Sequence, residues 1–221
     1  MLRPEAHRHP LAAVLRQVEA SSCPGRFNFH CHTTCSDGSL HPAELARQAV
    51  RLGLEELAVT DHHTDQALAD VAATLAGLAA QGHAVPRLWR GAEISCLLEG
   101  CLVHVLALGC TAGAAPLEPY LQGQAQVGPA LRSTAVVAAI QASGGLALLA
   151  HPARYRRPAQ ELIAAAADQG FDGAEAWYDY AMQGRWQPTP LVCDRIAEDL
   201  RTRGLLQSCG TDTHGVELCG R

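Results

Sequence analysis

The sequence predicts a parallel α/β sheet, either open or closed into a barrel of the TIM type with one unit missing. Three observations carry that reading. Short, β-leaning apolar runs alternate along the chain with longer runs of helical pattern, the signature of strand–helix–strand units. Several strand candidates are almost continuously apolar, as strands buried on both faces must be. Seven such candidates occur, and neither GxGxxG nor GxxxxGK is present, so the dinucleotide-binding and P-loop folds lack their fingerprints.

Taken in order, residues 1–24 read as an added arm, with Leu11, Val14, Leu15 and Val18 spaced for one short amphipathic helix. Residues 25–221 read as the main domain. Its strand candidates are 27–31, 56–61, 87–95, 101–109, 146–150, 171–177 and 205–211. Residues 42–52 read as a helix because Pro42 stands near its first position, where no N–H is needed, and Gly53 just past its last. The stretch 65–81 takes Asp65 or Thr64 as its cap and Gly82 as its stop. The stretches 158–169 and 189–203 are closed by Gly170 and Gly204. Within 116–143 the pattern is broken by Gly123, Gly128 and Pro129, which predicts a loop before a helix at 130–142.

The totals narrow the function classes. A chain of 221 residues suits one domain, and 48% hydrophobic with 18% charged residues is ordinary globular composition. The net charge is −5 and all 17 basic residues are Arg, because the sequence contains no Lys. Such a chain makes a poor sleeve for long nucleic acid, which needs a basic stripe to displace counterions. A short or mononucleotide phosphate ligand held by one or two Arg stays compatible. The first residues lack the apolar core and cleavage site of a signal peptide, and no apolar run reaches the length of a membrane span. The nine cysteines fall mostly inside apolar segments and read as reduced thiols. The expectation is a cytoplasmic protein with no membrane partner.

The eleven His matter by position. His30 and His32 close the first strand candidate; residues i and i+2 of a strand share a side, so both imidazoles can meet one metal. Asp37 follows on a loop. The second candidate ends in Asp61-His62-His63 and the third in Glu93. The fourth carries His104, the fifth ends at His151, and the seventh is followed by Asp212 and His214. One polar residue at a strand end is unremarkable, but six of seven candidates carrying one places them together on the active-site face of a barrel. Mixed imidazole and carboxylate donors suit Zn²⁺, Mn²⁺ or Fe²⁺. Other polar residues have plainer readings. His7, His9 and His83 read as solvated and His41 as a helix-start residue, while Cys31 and Cys35 flank the first motif as thiols that either bind Zn²⁺ or pack. Asp61 is a candidate for orienting a metal-bound imidazole.

The ordered motifs HCHTTCSDGSLHP, AVTDHHT, GAEIS, VHVLALG, LLAHP and GTDTHG resemble the PHP (polymerase and histidinol phosphatase) superfamily from about residue 27 to residue 214. The resemblance implies a distorted (β/α)7 TIM-like barrel holding two or three divalent ions. Carried over by position, His30, His32, Glu93 and Asp212 would hold the first metal. Glu93 would bridge to a second, also bound by His104 and His151. Asp37, His62 and His214 would hold a third, or supply acid–base and phosphate contacts. The family often has Asp after the His of the second motif; here His63 stands there, so the choice of His62 over His63 rests on the motif.

The resemblance also implies a chemistry: hydrolysis of a phosphate ester by a metal-activated water, with a small phosphorylated molecule or short oligonucleotide as substrate. The spelling is similar to small stand-alone members, among them nucleotide phosphatases and 5′-to-3′ exonucleases of short RNA. The span from His104 to His151 is short for them, which implies a reduced substrate-covering insertion. Arg154 follows His151 by three residues and is the expected phosphate contact, since a guanidinium matches phosphate bidentately. Arg156 and Arg157 are weaker candidates. Two alternatives stand beside this reading: an amidohydrolase-type enzyme acting on C–N or C–O bonds, and a non-catalytic metal-binding module. A module should show degraded ligands, whereas all nine positions here carry competent ones.

Overall fold

Seven strands form a single sheet in chain order: β1 (Phe27–Asn28), β2 (Glu56–Val59), β3 (Arg87–Leu98), β4 (Cys101–Leu108), β5 (Leu146–Leu149), β6 (Gly173–Trp177) and β7 (Leu206–Cys209). The computed structural model describes residues 3–220; residues 1 and 2 of the expected arm and residue 221 lie outside the described residues. Among the described residues seven α-helices accompany the strands: α1 (Pro4–Arg8), α2 (Pro10–Leu15), α3 (Pro42–Leu52), α4 (Ala67–Ala80), α5 (Ser133–Ala142), α6 (Ala159–Asp168) and α7 (Pro190–Arg203). The signals at the helix ends act as expected. Pro42 opens α3, Pro190 opens α7, and Gly53 and Gly204 close them in the left-handed conformation. At α4 the cap differs from expectation. Thr64 accepts from Gln66 N, while Asp65 pairs with Arg90 and the helix begins only at Ala67.

The sheet is not wholly parallel. β1, β2 and β3 are parallel, as are β5, β6 and β7, but β4 runs antiparallel to both of its neighbours. The cause is local. Only Glu99 and Gly100 separate β3 from β4, with φ of 49° and 72°, which is the two-residue hairpin turn whose twist matches its strands. A parallel return would need a crossover of about a dozen residues. The edge strands continue into segments that bond to each other: Phe29 N donates to Cys209 O, Asp212 N to His30 O and His32 N to Thr213 O. Gly210 sits between them because a Cβ there would lie 2.2 Å from the Cβ of His30.

Two apolar layers follow from the strand alternation. On the outer face, Ile94, Val103, Val105, Leu149 and Ala174 pack against Val136, Ile140, Leu162 and Ile196 of the helices. On the inner face, Phe27, Trp89, Leu106, Leu108, Leu146, Leu148 and Leu206 pack around Leu11, Ala12 and Leu15 of the arm. The arm therefore covers the end of the sheet where the parallel strands begin. Truncating a buried Leu of this kind to Ala costs about 2–5 kcal/mol. It forms two helices rather than one, because Pro10 has no N–H to continue α1 and starts α2 instead. His9, expected to be solvated, is half-buried and caps α2, its Nδ1 accepting from Leu11 N at 3.1 Å. Arg3 clamps the fully buried Asp172 with two bonds of 2.9 and 3.0 Å. Among the described residues no helix is long and apolar enough to cross a membrane.

Candidate metal centre

All nine side chains selected from the sequence meet at one end of the sheet, opposite the arm. The parallel strands deliver theirs just beyond their C-terminal ends: His30 and His32 after β1, His62 after β2, His151 after β5, Asp212 and His214 after β7. Glu93 lies within the long β3. His104 reaches the same end for the opposite reason, because the antiparallel β4 starts there and pairs His104 with Ser95. β1 itself stops at Asn28, whose Oδ1 accepts from both His30 N and Thr211 N and fixes the bend. His30 and His32 are thus aimed by the loop segment and not by a regular strand.

Glu93 stands at the centre, fully buried. Its Oε2 is 3.0 Å from His30 Nε2, 3.2 Å from His32 Nε2 and 3.5 Å from His62 Nδ1. Its Oε1 faces a different pair, His104 Nδ1 at 3.0 Å and His151 Nε2 at 3.2 Å. Asp212 Oδ1 lies 3.2 Å from both His30 Nε2 and His32 Nε2. Asp37 gathers the outer group, with His214 Nε2 at 3.3 Å, His32 Nδ1 at 3.6 Å and His62 Nε2 at 3.7 Å. Three sets result whose donor atoms lie within 4.8 Å of one another: His30, His32, Glu93 and Asp212; His62, Glu93 and His104; and His32, Asp37, His62 and His214.

The residues suit divalent cations. Among the described residues, His32 Nδ1 and Nε2, His104 Nδ1 and Glu93 Oε1 are buried and, close as they stand to one another's partners, make no hydrogen bond of proper geometry. Buried polar atoms left this way are costly unless something else satisfies them. The donors are imidazole nitrogens and carboxylate oxygens, the set that borderline divalent metals take. Electrostatics agree. Burial alone would lower the imidazoles, but Glu93, Glu175 and Asp212 outweigh it and hold His30 well above its ordinary value. His32 is raised to about 9 by Asp212 and Glu93 against the same burial. Burial opposes the charge of Glu93 and Asp212 too, yet the surrounding imidazoles, His30 foremost, hold both carboxyls well below their usual range. His62 goes the other way, to about 4, through burial. The carboxylates thus favour positive charge on the imidazoles, and a cation bound here would compete with protons for the same nitrogens.

Around the donors stand residues that fix them. Glu175, fully buried on β6, has both oxygens at 3.2–3.3 Å from His30 Nδ1 and also accepts from His151 N. Sequence reading missed it. Its signal was an acid inside the apolar run GAEAW, on the one strand that carried no candidate. Tyr178, also missed, donates from its hydroxyl to Asp212 Oδ2 at 2.6 Å. Asp61 does not orient an imidazole: its carboxylate accepts from Thr33 N, Thr33 Oγ1 and Ser36 Oγ, each at 2.7 Å, and so holds the loop bearing Asp37. His63 turns away to Ser95, 3.1 Å from its Oγ. Two of the donors carry unusual backbone: φ is 28° at His151 and 49° at Asp212. Non-glycine residues adopt such angles only where the surroundings impose them, most often at functional sites.

These donors open onto a cavity of about 320 Å³ lined by His62, Glu93, His104, His151, Arg154, Tyr155, Asp212 and His214. Arg154 stands at its wall and donates from one terminal nitrogen to Tyr178 Oη at 2.8 Å and to Asp212 Oδ2 at 3.1 Å. Arg157 is held elsewhere, by Glu161 and the carbonyl of Glu99.

Comparison with known proteins agrees with the geometry. The family model for the PHP domain matches residues 28–173. A 5′-3′ exoribonuclease of Haemophilus influenzae is 31% identical over 144 residues, 59% of this chain and 50% of that protein, so the match spans half its length. Among solved structures, a proposed metal-dependent phosphoesterase from Bifidobacterium adolescentis superposes with a TM-score of 0.69 at 21% identity, over 87% of this chain and 89% of that one. An amidohydrolase from Chromobacterium violaceum, with bound sulfate and no metal, gives 0.71 at 21% identity, over 86% and 88%. At that identity the likeness is one of fold.

Proposed function

Because the chain belongs to the PHP domain family, we propose that it is a metal-dependent phosphoesterase acting on a small phosphorylated substrate: a nucleotide, a nucleoside bisphosphate or a short oligonucleotide. The observation that carries this reading is Glu93, whose two oxygens face two separate imidazole sets, as a carboxylate shared between two cations would. His30, His32, Glu93 and Asp212 would hold one ion, Glu93, His104 and His151 a second, and Asp37, His62 and His214 a third. Two or three ions of Mn²⁺, Zn²⁺ or Fe²⁺ would activate a water and offset the charge of a phosphate. The exoribonuclease of Haemophilus influenzae supports the choice of a phosphodiester or nucleotide substrate.

The chain's own residues do the rest. Glu175 holds His30 through Nδ1, which leaves Nε2 for the cluster. Tyr178 and Arg154 engage Asp212 Oδ2, so that Oδ1 faces His30 and His32. The guanidinium of Arg154, at the cavity wall, is placed to donate to a phosphate oxygen. In the net reaction water oxygen bonds to phosphorus, the ester P–O bond breaks, and one water proton ends on the departing alcohol. Nine free cysteines support a reducing, cytoplasmic setting.

Metal reconstitution tests the reading. Protein loaded with Mn²⁺ should bind two or three ions per chain and hydrolyse phosphomonoesters or short RNA. Glu93→Gln keeps the shape and removes the charge, so metal content should fall and turnover collapse while the circular dichroism spectrum persists. Near-normal turnover in Glu93→Gln would remove the bridge. Hydrolysis of lactones or amides with no action on phosphate esters would replace the phosphoesterase by an amidohydrolase-type enzyme.

A further inference from the structure

The cavity at the candidate metal centre has a neighbour. A second lobe of about 260 Å³ is lined by Arg154, Met182, Asp212 and His214, so it shares three residues with the first and adds Met182. Six large apolar side chains are notably exposed among the described residues: Leu97, Leu102, Val127, Met182, Leu191 and Val216. Met182 alone of these lines either lobe. It is 59% exposed, and an apolar side chain left open beside a charged cavity invites an apolar group of the ligand.

Met182 is also held in place. Its φ is 53°, a left-handed conformation that disfavours a side chain. The fully buried carboxylate of Asp179 fixes it by accepting from the N–H on either side, Ala181 N at 3.1 Å and Gln183 N at 2.9 Å. Ala181 N also reaches Thr189 Oγ1 at 3.1 Å, and Thr189 N donates to Tyr178 O at 3.1 Å, which ties the loop to the residue that holds Asp212. Strain of this kind persists where surrounding structure imposes it, and binding sites are where it collects.

We infer that this second lobe receives the base of a nucleotide substrate, with Met182 as the residue that contacts it and Arg154 gripping the phosphate between the two lobes. The inference rests on the phosphoesterase reading and extends it to specificity. The thioether is polarisable and interacts well with an aromatic ring, while its three rotatable bonds let it adapt to purines and pyrimidines alike. A sugar phosphate without a base would leave Met182 facing water.

Adenosine 5′-monophosphate and ribose 5-phosphate carry the same ester on the same carbon, and they differ by the base. With Mn²⁺-loaded protein, kcat/KM and calorimetric affinity should both favour the nucleotide. In Met182→Ala the ratio of the two substrates should fall about three- to tenfold, the range of a thioether–aromatic contact, mainly through KM. Met182→Leu, which keeps the apolar surface, should retain most of the ratio. Equal values for the two compounds in the wild type, or a ratio that Met182→Ala leaves where it was, overturns the inference and leaves the phosphoesterase standing. If no phosphate ester is turned over, the phosphoesterase reading falls, and the calorimetric ratio still decides whether the lobe takes the base.

Discussion

His30 Nδ1 lies 3.2 Å from Glu175 Oε2, and both side chains are wholly buried. The ring nitrogen that faces the cluster is therefore set from behind, by a carboxylate that touches none of the other donor side chains in the bonds described. Partners of this kind typically contribute 10–100-fold to metal affinity. Glu175→Gln should weaken Mn²⁺ binding by about that factor in a competitive chelator titration. A change under twofold would assign the orientation of His30 to its backbone alone.

Arg154 contributes twice, to the cavity wall and to Asp212 Oδ2 at 3.1 Å. Losing a charge-assisted phosphate contact costs about 1.5–3 kcal/mol, so Arg154→Ala should lower kcat/KM for a phosphate ester about ten- to a hundredfold at saturating metal. Tyr178→Phe removes the hold on Asp212 and one acceptor of Arg154 but keeps the guanidinium, so it should shift the metal titration more than the kinetics at saturation. Similar kinetics for wild type and Arg154→Ala with metal saturating would exclude the guanidinium as a phosphate contact.

Stability should depend on pH with opposite sign in the two metal states. His32 is raised from 6.5 to about 9, and His30 moves the same way. The contribution of His32 is complete below 6.5 and is lost as pH rises through about 9, with that of His30 lost in the same direction, because the folded state then gives up protons it held more tightly than the unfolded chain. In chelator, Tm should therefore fall between pH 7 and pH 9. With Mn²⁺ present the cation competes with those same protons, so metal-derived stabilisation should grow over that window. Parallel Tm curves with and without metal would show that the imidazoles do not exchange protons for cations.

The thiols offer an independent test of the packing. Cys23, Cys31, Cys96, Cys101, Cys110, Cys193 and Cys209 are buried, and only Cys35 and Cys219 are partly exposed. Burial pushes Cys96 and Cys110 up to about 12 and Cys193 to about 11, far from the thiolate form that reacts. An aromatic disulfide reagent at pH 8 should label at most the two partly exposed thiols quickly, and all nine after denaturation. Rapid labelling of more would mean that the sheet opens in the native state.

The donors were legible because chemistry restricts them. His, Asp and Glu at successive strand ends form a pattern that periodicity and spacing reveal, and all nine converge. β4 was misjudged in direction because a two-residue turn of Glu99 and Gly100 does not announce itself beside apolar runs on both sides. Glu175 and Tyr178 stayed hidden for a different reason. Their roles depend on partners 24 or more residues away, and no local signal records which partner a buried polar group will meet. Asp61 shows the converse: adjacency to His62 in sequence predicted a bond that folding gave to Thr33 and Ser36.

The arm settles how molecules travel. Leu11, Ala12 and Leu15 lie wholly buried among Phe27, Leu146 and Leu206, so the far end of the sheet is stoppered by side chains. Among the described residues, the cavity beside Glu93 opens where Arg154 and His214 stand. Substrate and product of the proposed reaction would share that door. In the proposed phosphoesterase the phosphate product would leave through the mouth that admits the next substrate, so inorganic phosphate should compete with substrate, and a plugged far end offers it no second way out.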